Sequence, residues 1–137
     1  MSSLFLSRSL SRARSLSQLQ VLQKSDEAVF TWTLGSDLPE ARWDAASVVH
    51  EGRLWLIGGI VDYSPSASVL IYDVDDDTWT PGPSLPLAVS GICAAEFNGE
   101  IYVVGGAGTL VYRNGAWVQA ATIPAKAYAQ CQSVLLG

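Results

Sequence analysis

A chain of 137 residues, 49% of them hydrophobic, carries enough apolar material for one modest core. Thirteen acids against eight bases give a formal net charge of −5, so there is no electrostatic reason to expect nucleic acid, and no run reaches the ~20 apolar residues of a membrane-spanning helix. The imbalance is uneven: Arg8, Arg12, Arg14 and Lys24 all precede the first acid, Asp26, which leaves the remainder at about −9.

Residues 1–29 open with MSSLFLSRSLSRARSLSQLQ, rich in Ser, Arg and Leu and free of acid. That is the composition of an organelle transit peptide, and its short apolar stretch at residues 4–6 does not fit a secretory signal. The alternative is a leader that is disordered or weakly helical. The compartment stays open, with the cytoplasm favoured and organelle targeting by residues 1–25 as the other reading.

The rest of the chain repeats itself. GRLWLIGG at residues 52–59 matches GEIYVVGG at residues 99–106, a shift of 47 positions. With that shift Leu38-Pro39 falls on Leu85-Pro86, Gly52 on Gly99 and Trp55 on Tyr102, and after a gap Tyr72 and Trp79 find counterparts in Tyr112 and Trp117. FTWTLGSDLP at residues 30–39 parallels DTWTPGPSLP at residues 77–86, and Ile123-Pro124 opens a third unit in which Cys131 falls on Cys93. The units are therefore 38–84 and 85–122, with partial units before and after, the last at 123–137.

Within the first unit, residues 44–50 and 53–57 have strand length and meet at Glu51-Gly52, where the second unit has Asn98-Gly99, a strong hairpin signal. Residues 69–74 and 78–80 give a third and a fourth strand. The run LWLI suits an inner strand buried on both faces. The double glycine lacks the helix and the trailing motif of a phosphate loop, so its role is close backbone approach at a strand end. Asp73, Asp75, Asp76 and Asp77 form a solvated turn without the spacing of a calcium loop.

A strand closed by Gly-Gly and followed by Tyr and then Trp, at a period near fifty, resembles the kelch repeat over residues 30–137. The resemblance implies an all-β fold: a kelch-type β-propeller fragment of two four-stranded antiparallel blades plus partial units at both ends. Cys93 and Cys131 would lie on equivalent strands of neighbouring blades. Equivalent atoms of stacked sheets are ~10 Å apart, which argues against a disulfide between them.

Some kelch propellers are enzymes, copper-radical oxidases and sialic acid epimerases among them. The single histidine, His50, at the end of a strand, has no nucleophile placed beside it by the repeat, so no catalytic residue, cofactor or metal ligand is assigned. A fragment of such an enzyme is the alternative to the commoner implication, a non-catalytic protein-interaction module in the manner of a substrate adaptor. Its partner would be a protein, with no nucleic acid and no membrane.

Strand direction puts Arg42, Trp43, Asp62, Tyr63, Ser64, Ser66 and Ser90 on one face, with the long loop at residues 59–68 as the expected contact. Two blades cannot close a ring of 4 to 8, so an apolar face rich in Leu54, Leu56, Ile101 and Val103 is expected to be left open for self-association.

Overall fold

The computed structural model describes residues 3–6, 19–24, 30–105 and 108–121, and among them there is no helix. An N-terminal sheet joins β1 (Ser3–Leu6), β2 (Leu19–Lys24) and β3 (Phe30–Leu34), all antiparallel, in the order β1-β2-β3. The first blade is β4 (Ala46–His50), β5 (Arg53–Ile57), β8 (Val69–Asp73) and β9 (Thr78–Pro81), in that spatial order. Between β5 and β8 sits a small hairpin of β6 (Ile60–Val61) and β7 (Ser64–Pro65). The second blade runs β10 (Cys93–Phe97), β11 (Glu100–Gly105), β12 (Gly108–Arg113) and β13 (Ala116–Ala121). The partial unit at 123–137 lies outside the described residues, as does Gly106.

The tight turns explain the registers. Glu51-Gly52, Asn98-Gly99 and Asn114-Gly115 all have positive φ at both positions, the backbone of a two-residue hairpin whose twist matches the strands it joins. His50 therefore pairs with Arg53, and Phe97 with Glu100. Every other side chain along each strand then faces the same neighbour.

That alternation sorts the core. Trp55 and Ile57 of β5 point at the second blade and pack with Ile101, Val103 and Leu110. Leu54 and Leu56 point the other way, Leu54 against Tyr72 and Leu56 against Leu38 and Leu70. The inner-strand run is thus buried on both faces, as its lack of alternation implied. Leu54, Leu56, Ile101 and Val103 are all buried, so the face expected to stand open is closed at these four residues. The repeat placed them correctly on blade faces, but one face of each blade already has a neighbour within the chain.

Aromatic side chains clamp the outer halves of the blades. Tyr72 lies tilted against Trp79 with ring centroids 5.0 Å apart, and Tyr112 against Trp117 at 5.2 Å, the same pair in each repeat. Trp55 adds a contact across the interface, 5.0 Å from Tyr112. His50, at the end of its strand, is buried and lies edge-on to Trp55 at 5.4 Å. Each repeat tryptophan also donates its indole N–H to the segment entering its blade: Trp79 to the Ser36 carbonyl at 2.9 Å, Trp117 to the Pro83 carbonyl at 2.8 Å. Ser36 and Pro83 are themselves equivalent in FTWTLGSDLP and DTWTPGPSLP, so the repeat preserves a backbone acceptor where it changes the side chain.

At the outer turn of the first blade, Asp77 accepts from the Tyr72 hydroxyl at 2.6 Å and the Ser36 N–H at 2.7 Å, while the Ser36 hydroxyl donates back to the Asp77 carbonyl. The Tyr72 hydrogen bond, then the Ser36 bonds, hold the Asp77 carboxyl below its ordinary pKa. Burial and then Asp77 push the Tyr72 hydroxyl well above its own.

Two expectations are corrected. Residues 1–29 were expected to be disordered or weakly helical, yet their described segments are strands paired onto β3. The outer strand of a partial unit is an edge with unpaired N–H and C=O groups, and such an edge recruits neighbouring chain. Cys93, expected to be free, is disulfide-bonded; the only other cysteine of the chain, Cys131, lies outside the described residues. The ~10 Å spacing that argued against a bridge holds for sheets stacked in parallel. The inner strands β4 and β10 of the two described blades instead approach to Cα separations of 8 Å or less.

Candidate functional site

The double glycine closing β5 organises the loops at one end of the blades. Gly58 and Gly59 both have positive φ, 59° and 93°. A Cβ on Gly58 would sit 2.7 Å from the Val89 carbonyl oxygen, and one on Gly59 would sit 2.7 Å from the Ala45 Cβ and 2.8 Å from the Trp43 carbonyl oxygen. No L side chain fits that space.

The close approach is used to satisfy every backbone group of the pair. The Gly58 N–H donates to the Ser68 carbonyl at 3.0 Å, and the Gly59 N–H to the Val89 carbonyl at 2.8 Å. The Gly59 carbonyl accepts from the Ser66 N–H at 2.8 Å. The Gly58 carbonyl accepts from Arg42 Nη1 at 3.1 Å. In this way the segment entering the first blade, the loop after β5 and the segment entering the second blade are tied to two residues.

Arg42 is therefore an interior residue, with no surface of its own, and this corrects its placement on the exposed contact surface. Its Nη1 also reaches the Ser68 carbonyl at 3.4 Å, and its Nη2 pairs with Glu40 at 3.1 Å, while Nε has no partner. Burial lowers the guanidinium from its ordinary pKa and Glu40 partly opposes that. In the second repeat the equivalent residue is Val89, which meets the double glycine through its backbone instead.

On this base the β6–β7 hairpin stands out from the blades. Trp43 and Ile60 exchange N–H···O bonds of 3.2 and 2.7 Å, and Ser66 pairs with Val89. The Ser66 and Ser68 hydroxyls meet at 2.9 Å. Asp62 and Tyr63 form the tip, both with positive φ, and Tyr63 is 98% exposed. Positive φ is unusual for an aromatic residue, and here the two-residue hairpin demands it. Trp43 is 37% exposed beside the hairpin base, Ser64 is exposed, and Ser90 is half-buried next to Val89. Gly91 donates to the Asp44 carbonyl at 3.1 Å, joining the two entering segments once more.

The structure thus brings Trp43, Asp62, Tyr63, Ser64, Ser66 and Ser90 onto one set of linked loops and places Arg42 beneath them. The hairpin itself escaped sequence reading. Pro65 argues against a strand and Asp-Tyr is not a customary turn pair, so IVDYSP reads as an irregular loop. Among the described residues no group of three or more His, Cys, Asp or Glu side chains gathers to hold a metal ion.

Comparison with known proteins agrees with this geometry. Residues 41–86, from the segment that carries Arg42 to the Leu85-Pro86 pair, match the family described as the Kelch motif. Residues 41–86 are a kelch repeat. Kelch-like protein 35 of Mus musculus is 36% identical over 78 residues, 57% of this chain and 14% of its own length. The F-box/kelch-repeat protein At1g67480 of Arabidopsis thaliana is 37% identical over 82 residues, 59% of this chain and 22% of its own. The chain therefore spans less than a quarter of these relatives. The solved structure of YjhT shares the fold, with a TM-score of 0.69 over 79% of this chain and 45% of that one at 17% identity. The kelch resemblance drawn from the repeat, and the all-β, four-stranded blades it implied, are what the structure shows.

Proposed function

We propose that the chain is a non-catalytic protein-interaction module, and that its contact surface is the β6–β7 hairpin with the flanking loops. The observation that carries this reading is Tyr63: a nearly fully exposed aromatic side chain on a hairpin whose base is fixed by backbone hydrogen bonds to both neighbouring segments. An aromatic residue presented on a backbone that is already fixed adds only its own side-chain ordering to the cost of contact, which favours such a residue as an interface anchor. Trp43 extends the apolar area, and Asp62 with Ser64 supplies a carboxylate and a hydroxyl at its rim. The adaptor role is the finer form of the proposal, and its support is the names of relatives that carry kelch repeats.

Tyr63→Ala and Trp43→Ala are the test, each compared with Asp76→Ala on the outer turn. Proteins retained by the parent are identified, and one is titrated against all four forms. The first two variants should weaken binding tenfold or more with unchanged melting, and the third should bind as the parent does. Equal binding by all four would overturn the assignment of this face.

A further inference from the structure

The loops at the double-glycine end have a sign of charge as well as a shape. Residues 30–121 hold three bases, Arg42, Arg53 and Arg113. Arg53 opens β5 and Arg113 closes β12, so both lie at the opposite end of the blades, and each faces a carboxylate there: Asp73 at 3.4 Å and Glu100 at 3.8 Å. Arg42 alone lies at the double-glycine end, and it is fully buried. Among the described residues, the loops of the two blades at that end therefore show solvent no positive side chain.

They do show carboxylates, and these stand next to the exposed aromatics. Tyr63 follows Asp62 at the hairpin tip, and Trp43 precedes Asp44 at its base, with both acids exposed. Neither carboxylate has a hydrogen-bond or ion-pair partner among the described residues. Their backbone is fixed all the same: Trp43 and Ile60 exchange two hydrogen bonds, the Asp44 carbonyl accepts from Gly91, and φ is positive at both acids, 59° and 47°. Glu40, half exposed, adds a third carboxylate, which Arg42 engages from below through one oxygen.

We propose that the partner of this surface presents a basic segment, a stretch of polypeptide carrying arginine or lysine beside apolar side chains. The inference rests on the β6–β7 face being the contact surface. A cation arriving there meets an aromatic ring and, one residue away in the chain, an unpaired carboxylate. The ring face attracts it through its quadrupole, and a planar guanidinium can lie on the ring while it bonds the carboxylate. An acidic segment would instead meet like charge with no base exposed on these loops to relieve it, which selects against such partners. The wider field acts in the same direction, since residues 26–137 carry four bases against thirteen acids.

The full chain, immobilised, is offered three pools of random peptides of equal length. The charged residues are arginine and lysine in the first pool, aspartate and glutamate in the second, and absent from the third. The basic pool should be retained about tenfold more than the neutral one, and lose most of that advantage between ~0.01 M and ~0.15 M salt, as the screening length falls from ~30 to ~8 Å. Asp44→Asn with Asp62→Asn should weaken its retention about tenfold. Asparagine tolerates the positive φ at both sites, so the loops keep their form. Asp75→Asn with Asp76→Asn, which removes the same charge at the exposed outer turn, should leave retention within about twofold of the parent. Tyr63→Ala should weaken it as the first pair does. Peptides that need Tyr63 but bind alike whatever their charge would overturn the basic preference and leave the face standing. Equal losses from the two asparagine pairs would mean attraction to net charge alone, and would overturn it as well. Basic peptides indifferent to Tyr63, Asp44 and Asp62 would remove the face and this inference together, and retention of no pool, or of the acidic pool, would overturn the inference.

Discussion

Replacing Arg42 tests whether the loops are fixed from below. The Gly58 carbonyl accepts from Arg42 alone among the described residues, whereas the Ser68 carbonyl keeps the Gly58 N–H when Arg42 is lost. Arg42→Met fills much of the side-chain volume but leaves one buried acceptor without a partner, which costs about 1–3 kcal/mol. Relief of the desolvated guanidinium, whose Nε is unpartnered, offsets part of that, so a net loss of about 1–2 kcal/mol is expected. Arg42→Ala adds a cavity and should cost about 1–2 kcal/mol more. For a chain of this size each kcal/mol lowers the melting temperature by roughly 3–5 °C. Glu40, half exposed, is the weaker partner, and Glu40→Gln should cost less than about 1 kcal/mol. Calorimetric melts of the four proteins decide. If Arg42→Met melts with the parent, the guanidinium is not what secures the double glycine.

The remaining expectations follow from single contacts. Gly59→Ala should be destabilising by about 2–4 kcal/mol, because its Cβ meets two backbone segments at positive φ, while Gly52→Ala, with open space around it, should cost only about 1–2 kcal/mol; equal losses in urea unfolding would refute the crowding argument. Trp55→Ala removes the aromatic between the blades and should cost about 3–5 kcal/mol, and an unchanged melt would reject the blade interface. Because the Asp77 pKa is depressed on folding, the stability it contributes is present above the unfolded value of about 3.9 and is lost as pH falls through the lower folded value. Melts taken from pH 6 downward should show the parent converging on Asp77→Asn only below about pH 4, and curves parallel throughout would contradict the Tyr72 and Ser36 contacts.

The blades were legible because their determinants are local. Glu51-Gly52 and Asn98-Gly99 state the hairpins, LWLI states a strand buried on both faces, and the 47-residue shift states that the unit recurs. The double glycine was legible as a place of close approach, but what approaches it was not. Arg42 read as a surface residue because its partners are carbonyls of Gly58 and Ser68, and a backbone acceptor leaves no mark on residue type. The disulfide at Cys93 was hidden because the expectation rested on the ~10 Å spacing of stacked sheets, and pattern alone does not measure how closely inner strands approach. The strands in residues 1–29 were hidden by their Ser and Arg content, since what orders them is the edge of β3 rather than their own propensity.

The contact surface itself is tested most directly by a footprint. A partner captured by the parent chain is bound at saturation, and amide hydrogen exchange is compared with and without it. The account predicts slowed exchange confined to residues 43–44, 60–68 and 88–91. Protection at the outer turns around residues 75–77 and 114–115, with the hairpin unchanged, would contradict it.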